Sequence, residues 1–186
     1  YLDNDICLLG NKYVSSYVKY KYITEKYLKE FILRNNINYS IIHPGLILGP
    51  MMTKYNLSTN ELILKMINAK LMPFIEYGWN CVDVRDVAKL ISHCVQKKES
   101  NNKNYIAAGK FYWLKDIYKI VDNKKNNKKW VFKLSINTFI FKIFCIANIK
   151  YRRFYENLGK KRNLISKRAL VDFSWNTRNL EDTIDD

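Results

Sequence analysis

Glycine, proline and histidine are scarce in these 186 residues, at six, three and two copies. The four cysteines, Cys7, Cys81, Cys94 and Cys145, stand singly with no CxxC pair, which argues against a zinc site and fits a reducing, cytoplasmic compartment. No apolar run reaches the roughly 20 residues a membrane-spanning helix needs. The longest, residues 134–149 ("LSINTFIFKIFCIANI"), contains Lys142 and reads as an amphipathic or buried helix. Lysines and arginines flank both of its ends, which leaves contact with a membrane surface open. No secretory signal is expected, since the opening "YLDNDICLLGNKY" has two early aspartates and no sufficient apolar stretch. The first residue is Tyr1 rather than methionine, so a piece of a longer polypeptide, or a processed product, is expected.

What is abundant is lysine, asparagine, isoleucine and tyrosine. The formal charge of +15 points toward nucleic acid or an anionic surface. The joint excess of these four residues with a shortage of Ala, Gly and Pro has the look of an AT-rich coding sequence instead. No RNA-binding aromatic signature, zinc-finger spacing or basic-zipper heptad accompanies the charge, so a nucleic-acid partner is not expected. With 48% hydrophobic residues and 15% aromatics, the chain has ample material for a packed core.

Periodicity divides the chain. Residues 13–33 lack Pro and Gly and repeat apolar and aromatic positions at helical spacing, which predicts one long helix ended by Asn35-Asn36. "NYSIIHPG" predicts a short buried strand stopped by Pro44-Gly45. Ser58 and Glu61 suggest a capping box for a helix over about 60–70, and "LMPFIEYGWNCVDV" reads as extended or looped. Asp86 is expected to cap a helix over "VAKLISHCVQKK", with Val82, Val84 and Val87 packing inward and Arg85 pairing with a carboxylate. "YIAAG" predicts a second strand and "WLKDIYKIV" another helix, followed by a polar surface loop at 123–129. Residues 150–163 read as basic and irregular, Ser166 as a cap for a helix reaching Asp172, and the end as acidic. A helix followed by a short apolar strand is the rhythm of an α/β sheet.

Within the first helix lies Tyr17-x-x-x-Lys21. In a chain this rich in both residues, chance alone predicts about two Tyr-x-x-x-Lys pairs, and there are two, Tyr17/Lys21 and Tyr22/Lys26. Context separates them. Tyr17-x-x-Tyr20-Lys21-x-x-x-Glu25 is followed in order by "YSIIHPGLILGP", "WNCVDVRDVAKLI", "NKNYIAAG" and a tryptophan-containing acidic ending, "DFSWNTRNLEDTIDD". This ordered set resembles the C-terminal half of the extended short-chain dehydrogenase/reductases, the superfamily of NAD-dependent epimerases and dehydratases. Those proteins typically show YxxSKxxxE, a strand ending in (N/R)PxxVxGP and an "fVdVrDvA" segment. "HPGLILGP" with "CVDVRDVA" is most similar to the dihydroflavonol reductase and 3-beta-hydroxysteroid dehydrogenase branch.

The resemblance implies an α/β fold, the C-terminal part of a Rossmann-type parallel sheet with a smaller, mostly helical substrate-binding domain. Residues 1–48 would complete the NAD(P)-binding domain and 49–186 would be mainly the substrate-binding domain, with 80–109 returning to the sheet. It implies NAD or NADP as cofactor, a small-molecule substrate, and a homodimer as an allowed assembly. Tyr17 and Lys21 would be the catalytic pair. Positions i and i+4 share a helix face, so the Lys21 ammonium can sit near the Tyr17 phenol and favour its ionised form. Both would also contact the cofactor, Lys21 at the nicotinamide ribose, and the main chain of Pro44, Gly45 and Leu46 would approach the nicotinamide, the proline-glycine pair offering little bulk. Glu25 is expected to serve helix packing. His43 and Tyr20 depart from the family's Asn/Arg and Ser. The glycine-rich GxxGxxG turn that holds the pyrophosphate has no counterpart among Gly10, Gly45, Gly49, Gly78, Gly109 and Gly159, and the family's upstream Ser or Thr is missing as well. The expected activity is therefore NAD(P)-dependent carbonyl reduction or alcohol oxidation on a largely apolar substrate, the chain alone being inactive. The alternatives are a nucleotide-sugar epimerase or dehydratase, and a non-catalytic remnant or basic binding module.

Overall fold

The computed structural model describes residues 16–50, 58–68, 71–124, 132–148 and 151–185. Helix α1 (Ser16–Asn35) runs uninterrupted, as its freedom from Pro and Gly requires, and carries a Glu25–Lys29 ion pair of 2.9 Å. Asn36 ends it with a φ of 50°, a left-handed conformation that asparagine tolerates. The expected helical start at 13–15 lies outside the described residues.

Strand β1 (Ser40–Pro44) follows, and β2 (Leu46–Leu48) continues beyond Gly45. Helix α2 (Ser58–Asn68) starts two residues before the expected position. The extended stretch resolves into β3 (Leu71–Phe74) and β4 (Gly78–Asp83), after which come α3 (Val84–Gln96) and β5 (Lys103–Ala107). Strand β6 (Phe111–Trp113) leads into α4 (Leu114–Lys124). The expected polar loop at 123–129 begins inside α4, and its remainder, 125–129, lies outside the described residues. Instead of one helix over 134–149 there is β7 (Phe132–Ser135) and then α5 (Thr138–Ala147). Asn137 makes the division, because its side chain accepts a 2.8 Å hydrogen bond from the Phe139 N–H and caps α5. Helices α6 (Lys167–Phe173) and α7 (Leu180–Asp185) close the chain.

The architecture is α/β. β1 and β5 pair in parallel, with His43 opposite Ile106; β2 and β4 pair in parallel, and β4 pairs antiparallel with β6. A separate parallel pair joins β3 to β7. One apolar cluster gathers Leu48, Met66, Ile117, Tyr118 and Val121 under α2 and α4. Another joins Val87 and Leu90 of α3 to Tyr105, Phe173 and Trp175. Both are assembled from residues far apart in sequence, and the second packs α3 and β5 against residues 169–175.

Candidate active site

Tyr17 and Lys21 lie one turn apart near the start of α1, and the Lys21 ammonium sits 5.8 Å from the centroid of the Tyr17 ring. Tyr17 is 69% exposed, so its ring is not consumed by core packing. The structure thus brings the two residues together. Among the described residues, no hydrogen bond or ring contact joins them to Pro44, Gly45 or Leu46.

Those three residues mark a junction between the strand pairs. The Gly45 N–H donates to the Ala107 carbonyl at 2.9 Å, and Gly109 N–H donates to Cys81 O at 2.9 Å. Asn80, itself buried, donates from Nδ2 to Gly109 O at 2.9 Å. A Cβ on Gly45 would stand 2.2 Å from the Asn80 carbonyl oxygen. Glycine is required there because β4 presses against the chain. Pro44 is exposed beside it, whereas Leu46 is half-buried against the core.

The "VDVRDVA" segment is architectural, with its roles distributed differently from the expectation. Asp83, not Asp86, is the N-cap of α3: its carboxylate accepts from Arg85 N–H at 2.8 Å, Nε at 2.9 Å and Nη2 at 2.7 Å. Burial acts to raise the pKa of this wholly enclosed carboxyl. The Arg85 hydrogen bonds, with Thr183 and the Arg178 charge, outweigh burial and hold it down to about 2. Asp86 sits one turn further and binds Arg178 instead, accepting from its N–H at 2.8 Å and its Nη2 at 3.0 Å. Trp175 Nε1 donates to the Asp86 carbonyl at 2.8 Å. Val82 and Val87 pack inward as expected, but Val84 is 39% exposed, because as the first residue of α3 it turns away from the core. Ser166 occupies the position before α6 without capping it; its hydroxyl instead bridges the Ala108 N–H and C=O.

Sequence reasoning missed Arg178 and a second cluster in which Asp172 accepts from Lys103 Nζ and the Tyr105 hydroxyl, both at 2.8 Å. Only the acidic, tryptophan-containing ending hinted that this segment mattered. Among the described residues no group of His, Cys, Asp and Glu is placed to hold a metal. No described helix is long and apolar enough to cross a membrane.

No family model matches the chain. It is 33% identical over 89 residues to a cinnamoyl-CoA reductase of Medicago truncatula, covering 47% of this chain and 26% of that protein. The structure of gox2253 superposes with a TM-score of 0.76 at 20% identity, covering 93% of this chain and 55% of that one. Yeast methylglyoxal/isovaleraldehyde reductase Gre2, solved with NADPH, gives 0.61 at 22% identity, covering 87% and 46%. UDP-glucose 4-epimerase of Thermotoga maritima, solved with UDP-glucose, gives 0.63 at 18%, covering 89% and 49%. The fold is the α/β fold shared by these solved reductase and epimerase structures. This chain spans about a quarter of the curated relative and about half of each solved protein. The ordered segments around Tyr17 and the superposition over nearly the whole chain are two routes to the same family resemblance.

Proposed function

We propose that this chain carries the catalytic tyrosine and lysine of an NAD(P)-dependent oxidoreductase that interconverts a carbonyl and an alcohol on a small, largely apolar substrate. The observation that supports the reading most directly is the exposed Tyr17 phenol with the Lys21 ammonium 5.8 Å from its ring, in a fold shared with reductases of this kind. When bound, the dinucleotide supplies or accepts the hydride. Tyr17 gives a proton to the substrate oxygen in reduction and takes it back in oxidation. The three donors of Lys21 suit the hydroxyls of the nicotinamide ribose.

The residues present fit only one end of such a cofactor. Tyr17, Lys21 and the exposed Pro44 suit the nicotinamide and its ribose. The Asn80 carbonyl fills the space a Cβ on Gly45 would need, and none of the six glycines forms the spaced trio that lets backbone N–H groups reach a pyrophosphate. The division proposed here assigns residues up to 48 to the cofactor domain and most of the remainder to substrate binding, with 80–109 returning to the sheet.

The decisive experiment is Tyr17→Phe in the complete protein that carries this segment. Loss of hydride transfer by at least about 100-fold, with dinucleotide affinity kept, is expected when a general acid–base is removed. Wild-type turnover in that variant would overturn the assignment and leave a non-catalytic role. A nucleotide-sugar epimerase is the second reading, motivated by the superposition on UDP-glucose 4-epimerase. A nucleotide sugar that copurifies and turns over would select it.

A further inference from the structure

A cavity of about 680 Å³ opens at the carboxyl ends of the parallel pair β3/β7, apart from every residue singled out above as catalytic or cofactor-binding. Such strand ends are where parallel sheets characteristically receive ligands, and the volume lies within the usual range for small-molecule sites. Phe74, Trp113 and Phe139 supply its aromatic surface. Phe74 is held edge-on to Tyr118 at 5.7 Å, and Trp113 edge-on to Phe111 at 4.9 Å. The polar wall is fixed as well: the Thr138 hydroxyl donates to Glu76 Oε2 at 2.8 Å, and Gly159 N–H donates to Glu76 O at 2.7 Å.

Two lysines face this space, Lys115 from the first turn of α4 and Lys142 from the middle of α5. Neither forms an ion pair among the described residues, with Glu76 or with any other carboxylate. Two ammonium groups against one carboxylate leave the cavity with a net charge of about one, to which the amino end of α5 adds a fraction. Charge of that size is matched by a monoanion and exceeded by a phosphate monoester.

We infer that this cavity binds an aromatic carboxylate, its ring against Trp113, Phe74 and Phe139 and its carboxylate between Lys115 and Lys142. The binding needs neither a dinucleotide nor Tyr17, so it stands or falls separately from the oxidoreductase reading.

The probes are 2-naphthylacetate and its uncharged amide, 2-naphthylacetamide, titrated calorimetrically into the 186-residue chain at low ionic strength. The acid is expected to bind about tenfold more tightly than the amide, as a charge-assisted contact predicts. Lys115→Gln with Lys142→Gln should erase that preference while leaving amide affinity and the unfolding midpoint unchanged. Glu76→Gln removes the one opposing charge while keeping an acceptor for Thr138, and should strengthen acid binding severalfold. These two changes act in opposite directions, which a general loss of structure cannot imitate. Equal affinity for acid and amide, full acid affinity in the double lysine variant, or no binding of either probe at millimolar concentration would each overturn the inference.

Discussion

Asp83 shows how a single residue can be placed for structure where its neighbourhood suggests chemistry. Its carboxyl is enclosed, caps α3 through Arg85 N–H and takes the Arg85 guanidinium at two further donors. A carboxyl held near 2 in the folded chain, against an ordinary value near 3.8, contributes stability that is present above about pH 4. That contribution is lost as pH falls toward 2, and about two units of displacement correspond to roughly 2 kcal/mol. Asp83→Asn should therefore lower stability at neutral pH by about that amount and flatten the acid limb of the unfolding curve. Chemical denaturation between pH 2 and 7 measures both. Equal acid sensitivity in variant and wild type would mean that Asp83 carries no such linkage. Asp172 is displaced in the same direction: burial opposes the shift, and the Lys103 and Tyr105 hydrogen bonds outweigh it.

At the scale of elements, α3 and the closing segment form one clamp. Asp86 faces Arg178 across 92 positions of sequence, and Trp175 donates to the carbonyl of the same aspartate. The pair is partly buried and makes several hydrogen bonds, so the two partners should be coupled rather than additive. In a double-mutant cycle, Asp86→Ala and Arg178→Ala should each cost about 2–3 kcal/mol, with a coupling of about 1–3 kcal/mol measured by urea unfolding. Additive losses would place the contribution in each residue's separate packing.

The same elements show what sequence made legible. α1, β1, α3, β5 and α4 announce themselves, because each is either long and free of breakers or a short apolar run closed by a turn residue. β6 and β7 do not, being three and four residues long and defined by their partners, β4 and β3. Neither periodicity nor composition distinguishes "FKLS" from the start of the apolar helix that follows; the Asn137 cap does, and only in three dimensions. In the site, Tyr17 and Lys21 were legible because a helix spacing of four dictates their contact. The Asp86–Arg178 pairing and the packing of the Asn80 carbonyl on Gly45 were not, since both depend on long-range contacts. Asp83 was hidden for a different reason: with two aspartates three apart, the helix could start after either.

For the whole molecule, the distribution of exposed apolar surface separates α1 from the rest. Tyr17, Tyr20, Tyr27, Phe31 and Leu33 are all well exposed, and Ile32 is the one α1 side chain among the described residues that is buried. The core lies instead around α3, α4 and the strands, so the 186 residues fold around their carboxyl-terminal two thirds while presenting the proposed catalytic helix at the periphery. A nicotinamide end held only by Tyr17, Lys21 and exposed main chain has no glycine turn to anchor its pyrophosphate. Titration of the isolated chain with NADPH, followed by nucleotide fluorescence, should show no saturation in the micromolar range. Joining the chain to a segment that supplies a GxxGxxG turn should restore saturation there, a gain of at least about 100-fold or roughly 3 kcal/mol. Micromolar saturation by the isolated chain would mean that it holds the pyrophosphate by other groups, and the proposed division between cofactor-binding and substrate-binding parts would fail. Weak binding that stays weak after the turn is restored would instead remove Lys21 from the ribose site, since that contact should then operate in full.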